Sequence, residues 1–314
     1  MSENRISKTI TSAAFLFSIA IVGISVISVI FPALIISQTY EFPLDLNPVE
    51  TSPWLLPILF SAIFLLVFGF LHYKKKLPFT LSNTINLILN FEISKRFSII
   101  LGISILSIYI GLSVPELFID ESEQWPDFRV LESALNIWPS TDHLSVYIKE
   151  QNTRYVRMIL LDFSQEFFQN IKLLPFVASI FTVIFTALIT IQISKKRLAG
   201  IIAMLVLLSS VTFTDFDTIA VYENFWVLFY LISLYSINKK WWHASPVSFI
   251  LSIFTKAFIA TYFWMNLFYI YRATIPTRTK LFLFGSYGII LGITYWIFEN
   301  GRSIIYDDII RYDL

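Results

Sequence analysis

Long apolar runs, each separated from the next by a short charged connection, are the feature that most constrains this chain. A transmembrane helix needs about 20 mainly apolar residues. Windows of this kind lie near 9–37, 53–72, 97–116, 172–193, 198–213, 219–237 and 281–298. Because 56% of the 314 residues are hydrophobic and only 14% are charged, the chain has more apolar surface than a soluble domain can bury. The sequence predicts an all-α polytopic membrane protein.

Composition also excludes some kinds of site. The chain has no cysteine, which excludes disulfides, thiolate metal sites and cysteine nucleophiles. Its three histidines, His72, His143 and His243, are far apart in the sequence and argue against haem or copper chemistry. The first run, 9–37, has no small-residue cleavage site and is interpreted as an uncleaved span.

The stretch 246–271 is apolar but carries Lys256 near its middle. Lys239 lies before the stretch and Arg272 lies at its end, and basic residues near membrane helices face the cytoplasm. A single crossing would put these two residues on opposite sides, so we expect a hairpin of two short helices with Lys256 at its outer tip. The alternative is one long tilted helix in which Lys256 snorkels to the interface or is paired.

Lys and Arg of the remaining connections fit the same arrangement. They are Arg5, Lys8, Lys74–Lys76, Lys95, Arg96, Lys195, Lys196, Arg197, Lys240, Arg278 and Lys280. We therefore expect about nine spans in the plasma membrane, with a cytoplasmic N-terminus and an extracytoplasmic C-terminus. The predicted parts are two accessory helices and a basic loop in 1–96, a membrane module in 97–298 and a short tail in 299–314.

One long connection, 115–172, is predicted to lie outside the cytoplasm. In its second half, apolar residues recur with helical spacing, a pattern typical of an amphipathic helix on a membrane surface. The predicted apolar face consists of Val156, Leu160, Phe163, Phe167 and Ile171.

Two acidic groups are candidates for chemistry. Asp120 and Glu121 follow directly on the third span, where a partly desolvated carboxylate can remove a proton from a hydroxyl. The simpler interpretation is a solvated acidic loop.

Asp215, Asp217 and Glu223 lie in a short outer turn. Such oxygen ligands suit Mg²⁺ or Mn²⁺, or can orient a sugar, whereas helix capping by Asp217 is the simpler alternative.

Three cations are candidates for binding a phosphate on the same side. Lys256 is the first, and Arg154 and Arg157 at the start of the surface helix are weaker ones. Ammonium and guanidinium groups both bind phosphate, although contact with lipid headgroups would explain them equally well. The net charge is +1 and no nucleotide-binding motif is present, so nucleic acid is not an expected partner.

This layout resembles the GT-C class of integral-membrane glycosyltransferases, which includes the dolichyl-phosphate-mannose-dependent protein O-mannosyltransferases. The resemblance lies in "ELFIDESEQWPDF" after a membrane helix, in "RYVRMILLDFSQEFFQNIKLLPFVASIF" as a surface helix leading into the next span, and in "SPVSFILSIFTKAF" as a hairpin with an outer lysine. It covers roughly residues 97–298.

The resemblance implies an inverting hexosyltransferase that uses a polyprenyl-phosphate-linked sugar. The acceptor would be a lipid-linked glycan, a polysaccharide or a protein hydroxyl outside the cytoplasm. By position, Asp120 or Glu121 would be the base, Asp217 would orient the acceptor or a metal, and Lys256 would hold the donor phosphate. The alternatives are a non-catalytic membrane subunit with this fold and a transporter or flippase of lipid-linked intermediates.

Overall fold

The computed structural model describes residues 27, 31, 55–74, 76–120, 128–137, 155–221 and 223–312. The predicted first span and much of the loop 115–172 therefore lie outside the described residues. In the described part every element is helical: α1 Leu55–Tyr73, α2 Phe79–Asn90, α3 Lys95–Ser113, α4 Phe128–Ile137, α5 Tyr155–Phe168, α6 Leu173–Ser194, α7 Arg197–Leu208, α8 Val211–Asp215, α9 Phe225–Asn238, α10 Ala244–Thr255, α11 Phe263–Arg272 and α12 Thr277–Tyr312. The predicted all-α class is confirmed.

The chain divides into two compact units, Met1–Phe91 and Glu92–Leu314. In the first unit, α1 occupies the predicted window 53–72. Helix α2 was not predicted, because its polar Thr, Ser and Asn residues interrupt the apolar pattern.

Three described helical segments of the second unit are long and apolar enough to cross a membrane: Lys95–Phe118, Leu173–Ser194 and Thr277–Ile297. Large apolar side chains on these segments face outwards, including Ile103, Leu112 and Ile289. Because a bilayer offers no water to backbone groups, a helix is the form in which such segments can enter it. The expected nine crossings and their orientation stay predictions.

Helix α3 begins at Ser94, whose hydroxyl accepts a hydrogen bond from the Phe97 amide and caps the helix. It ends in a 3₁₀ turn, Val114–Phe118. Pro115 lies at the start of this turn, where its missing N–H costs little. Glu116 therefore lies in this turn and not in the apolar helix α3.

The stretch 246–271 is divided at Lys256, as predicted. Helix α10 ends there, a 3₁₀ turn covers Ala257–Tyr262, and α11 follows. Helix α10 is antiparallel to α9, because Ser245 bonds to the Ser233 carbonyl and Ser252 bonds to the Trp226 carbonyl. Helix α11 then runs parallel to α9.

Two contacts fix this return direction. The Tyr230 hydroxyl meets the Tyr262 carbonyl, and the Asn238 amide donates to the Tyr269 hydroxyl. The chain therefore reverses at Lys256 and brings Arg272 back to the same end of the unit as Lys239. The sides of a membrane on which these ends lie stay a prediction.

Basic residues collect at one end of the second unit, which we call the basic end. There Arg197 contacts Glu92 at 3.6 Å and donates to the Ile93 carbonyl, which links the starts of α3 and α7. The Tyr269 hydroxyl donates to Gln192, which links the ends of α6 and α11. The shared end agrees with the charge pattern from which the hairpin was predicted.

Helix α5 forms where an amphipathic helix was predicted. Of the predicted apolar face, Leu160 and Ile171 pack against the hydrophobic core, whereas Phe163 and Phe167 are stacked on each other and exposed. The helix also buries Arg157, which bonds to the loop after α8. The position of α5 on a membrane surface stays a prediction.

The C-terminal helix is longer than the predicted window 281–298. Helix α12 runs without a break from Thr277 to Tyr312, through the position where the tail 299–314 was expected to begin. The polar residues that suggested a boundary do not end the helix.

Helices α6 and α7 lie close together at Gly200 of α7. A Cβ atom there would lie 2.5 Å from Cγ1 of Ile191 and 3.0 Å from the Ala187 carbonyl, both on α6. The Ala187 carbonyl is backbone and cannot move aside as a side chain can. Because Gly200 has no side chain, α6 and α7 can pack closely at this point, as helices with small residues do in membranes.

We predict that Gly200→Ala lowers stability by about 1–3 kcal/mol through overpacking. Gly111→Ala is the matched control, because a Cβ at Gly111 meets nothing within 4 Å and alanine favours helix by up to about 1 kcal/mol. Thermal unfolding in detergent would measure both variants. Equal melting temperatures for Gly200→Ala and the parent protein would contradict this account of the packing.

Candidate functional site

Carboxylates gather at the end of the second unit opposite the basic end, which we call the acidic end. It is formed by the 3₁₀ turn after α3, the start of α6, the loop 216–224 and the start of α9. Glu116, Asp217 and Glu223 lie here, and each has contacts with another element. The sequence analysis predicted the last two and missed the first.

Asp217 is fully buried in the loop that follows α8. The Ser113 hydroxyl donates to its Oδ2 at 3.0 Å, and the Ser179 hydroxyl donates to its backbone carbonyl at 2.7 Å. Its Oδ1 has no hydrogen-bond partner. An unpaired buried carboxylate oxygen is costly, and such exceptions are candidates for a functional role.

The pKa of Asp217 is raised from its ordinary value of 3.8 to about 6. Burial is the main cause, since it disfavours the charged form. The hydroxyls of Tyr109 and Ser113 oppose the rise, and the charge of Glu116 adds to it. A carboxyl group with a pKa near 6 can both accept and release a proton near neutral pH.

Tyr109 of α3 faces the same carboxylate. Its side chain is buried, and a hydrogen bond from its hydroxyl to the carboxylate lowers the pKa of Asp217, although this contact lies outside strict hydrogen-bond geometry. Tyr109 therefore stabilises the charged form of Asp217.

Glu116 is the carboxylate that the sequence analysis missed. Its Oε2 accepts a hydrogen bond from Thr218 at 3.1 Å, and its backbone carbonyl accepts one from the ammonium of Lys172 at 3.1 Å. These contacts join the turn after α3 to α6 and to the loop 216–224. The pattern "PELFIDESE" drew attention to the later acidic residues, although Pro115 already indicated that the helix ends before Glu116.

Arg157 is not placed to hold a phosphate. It is buried, its Nε lies 3.0 Å from Oε2 of Glu223, and its Nη2 donates to the carbonyls of Ala220 and Val221. The guanidinium therefore fixes the loop 216–224 against α5. Its predicted donor-phosphate role is replaced by a structural one.

The same ion pair bears on the metal site considered for Asp217 and Glu223. The Glu223 carboxylate is committed to Arg157. Among the described residues no three His, Asp or Glu side chains come together in a way that could hold a metal ion. The Mg²⁺ or Mn²⁺ site considered for Asp217 and Glu223 stays a prediction.

Lys256 lies at the acidic end, at the tip where α10 ends. Its ammonium is 5.6 Å from the ring centre of Trp226 and 5.5 Å from that of Phe258, distances typical of cation–π contacts. Trp226 lies two residues after Asn224 in the chain. Asn224 donates to Ser179, and Ser179 donates to the backbone carbonyl of Asp217.

The remaining predicted residues are less informative. Asp120 is exposed and lies four residues after Glu116, and Asp215 is exposed at the end of α8. Glu121 and Arg154 lie outside the described residues. The proposed role of Asp120 or Glu121 as a base stays a prediction.

A groove of 340 Å³ leads to this site between α3 and α7. Its lining residues are Ile105, Ile108, Tyr109, Leu112, Ser113, Glu116, Leu205, Leu208 and Thr214. Five of these side chains are aliphatic, and among the polar ones Ser113 donates a hydrogen bond to Asp217. The volume lies within the range of about 300–1,000 Å³ that is usual for ligand sites.

Comparison with known proteins adds no relative. No protein-family model matches the chain, and neither a curated protein nor a solved structure matches it.

We predict that Arg157→Met lowers stability by about 3–5 kcal/mol, because it leaves Glu223 buried without its cation. The double variant Arg157→Met/Glu223→Gln should be more stable than Arg157→Met alone, since the buried charge is gone. Unfolding in detergent measures these two variants and the single variant Glu223→Gln. A double variant that loses the sum of the two single effects would show that the pair is not coupled.

We predict that Asp217 is protonated below a pH of about 6. The infrared carbonyl band of a protonated carboxylic acid should then disappear as the pH rises through that value. Asp217→Asn should abolish this change, and Asp215→Asn, a control at the exposed end of α8, should retain it. A band that is unaffected by Asp217→Asn would contradict the assignment.

Proposed function

We propose that the protein is a membrane glycosyltransferase that moves a sugar from a polyprenyl-phosphate-linked donor to an acceptor hydroxyl at its acidic end. The single observation that carries this proposal is the buried carboxylate of Asp217, which accepts a hydrogen bond from Ser113, a residue that lines an apolar groove. A soluble substrate does not need an apolar approach to a base, whereas a lipid-linked substrate does.

Asp217 is the proposed base. Its raised pKa keeps it reactive near neutral pH, and Ser113 orients the carboxylate through Oδ2. This assignment differs from the one implied by the resemblance, in which Asp120 or Glu121 is the base. It is supported by burial, since Asp120 is exposed to solvent.

In the proposed step, Asp217 removes the proton of the acceptor hydroxyl. At the same time the oxygen of that hydroxyl attacks the anomeric carbon of the donor sugar. A new glycosidic C–O bond forms on the face opposite the leaving group, and the bond between that carbon and the lipid phosphate breaks. The polyprenyl phosphate leaves with the bonding electrons, so the anomeric configuration is inverted.

Lys256 is proposed to stabilise the leaving phosphate. A cation placed where negative charge develops lowers the barrier of such a transfer. Lys256 lies at the acidic end, on Trp226 and Phe258, and the neighbouring aromatic rings can stack on a sugar. Arg157 has no part in this step, because Glu223 and two carbonyls already occupy it.

We further propose that the acidic end faces away from the cytoplasm and that the second unit belongs to a bundle of about nine spans. The clustering of Arg197, Lys239 and Arg272 at the opposite end supports this orientation. The donor lipid would then reach the site within the outer leaflet.

The proposal predicts sugar transfer by the purified protein in liposomes supplied with labelled polyprenyl-phosphate sugars. Loss of a general base typically lowers the rate by about 10²–10⁴-fold, which is the effect expected for Asp217→Asn. Asp215→Asn is the control, because it removes a nearby exposed carboxylate. Asp120→Asn and Glu121→Gln test the alternative base.

The outcomes separate the possibilities clearly. Loss of transfer only in Asp217→Asn, with an unchanged melting temperature, supports the assignment. Loss only in Asp120→Asn or Glu121→Gln would move the base to that residue. Donor binding without turnover in any form would instead favour the non-catalytic subunit.

A further inference from the structure

The helices of the second unit differ in length, and the difference is large compared with the thickness of a bilayer. The apolar segments Lys95–Phe118 and Leu173–Ser194 have 24 and 22 residues, which is enough to cross a hydrocarbon core of about 30 Å. Helices α7 and α10 have 12 residues each, and α9 has 14. Helices of these lengths reach only about 18–21 Å, and tilting shortens their reach further. They cannot extend from one boundary of such a core to the other.

Contacts at the basic end show that the short helix α9 and the long helix α6 are level there. The Tyr269 hydroxyl donates to Gln192 of α6 and accepts from Asn238 of α9. Each partner lies close to the lysine that follows its helix, Lys195 after α6 and Lys239 after α9. The length that α9 lacks is therefore not missing at the basic end.

At the acidic end, α6 extends beyond the short helices. Asn224, which precedes α9, donates to Ser179 of α6. The Trp226 carbonyl of α9 accepts from Ser252, close to the end of α10. Helix α6 continues on the other side of Ser179 as far as Leu173, which adds about 9 Å. The ends of α9 and α10 at the acidic end are therefore recessed relative to the end of α6.

Charged side chains are exposed at this recessed level. Lys256 follows the last residue of α10, Asp215 is the last residue of α8, and both are exposed. Helix α8 lies at the level of the site, because the ring centre of Phe213 is 6.2 Å from that of Tyr109, one turn before Ser113 in α3. Exposed charges are costly in hydrocarbon. Water and polar head groups suit this surface better than lipid tails do.

We propose that the second unit binds a depressed patch of the membrane surface at its acidic end, where phospholipid head groups and water cover the ends of α8, α9 and α10. The bilayer thins there to about 20 Å, because lipid adjusts to the apolar length of the helices that it surrounds. Lys256 then lies at head-group level, although it is about 10 Å below the surrounding membrane surface. The depression follows from helix length and charge, and it holds whichever reaction the protein performs.

The chain has no cysteine, so a nitroxide label can be attached at single introduced cysteines. Phe258→Cys puts the label in the turn after Lys256, at a side chain that is 41% exposed. Phe181→Cys is the matched control, because Phe181 is 46% exposed and lies on α6 close to Ser179. The two labels are at about the same height above the basic end, but only the control lies on a helix that continues further outwards.

Power saturation of the full-length protein in liposomes of phosphatidylcholine and phosphatidylglycerol measures the depth of each label. Oxygen concentrates in hydrocarbon, whereas a nickel chelate stays in water. In lipids with a hydrocarbon core of about 30 Å, we expect the label at 258 at head-group level and the label at 181 about 10 Å deeper. In short-chain lipids with a core of about 20 Å, the difference should disappear because the mismatch is gone.

Equal depths of the two labels in the thicker lipids would overturn the proposal. A label at 258 that neither reagent reaches would also overturn it, since protein rather than head groups would then cover the recess. If Phe258→Cys lowers the melting temperature, Asp215→Cys on α8 replaces it and should give the same head-group depth. A label at 215 that lies in hydrocarbon would contradict the proposal in the same way.

Discussion

Scarcity of water around the helices is the constraint on which the rest of this structure depends. A charge that leaves water needs a partner, and several charged residues of the second unit lie at helix ends, among them Arg197 and Arg272 at the basic end. At the acidic end, Arg157 pairs with Glu223, and Glu116 accepts from Thr218. Asp217 is the exception, since one of its oxygens is unpaired, and for that reason it stands out as a site of chemistry.

The helices of the second unit could largely be predicted from the sequence, because apolar length and the position of basic residues are both local features. The reversal at Lys256 is the clearest case: the requirement that Lys239 and Arg272 share an end was sufficient to predict it. Helix α5 shows the limit. Its periodicity is correct, but the buried face depends on Arg157 meeting a loop that is distant in sequence, which a helical wheel does not show.

The candidate site was only partly predictable for the same reason. Asp217, Glu223 and Lys256 stood out because charged residues are rare near apolar runs. Tyr109 and Ser113 did not, since such residues are common in membrane helices and their importance comes from facing Asp217. Glu116 was missed because the acidic residues that follow it, Asp120 and Glu121, were considered instead. The metal site stays a prediction, and the sequence could not show that one of its possible ligands, Glu223, is paired with Arg157.

The pairing of Arg157 also has a consequence for the order in which the chain matures during synthesis. Its carbonyl partner at Val221 comes 64 residues later. Until that segment has left the ribosome, burial of the guanidinium would be costly, so α5 must wait in a hydrated position while α6, α7 and α8 are placed. The acidic end is therefore assembled late: a nascent chain halted before Glu223 holds the apolar segments Lys95–Phe118 and Leu173–Ser194, but neither the helices α9 to α12 nor a finished site.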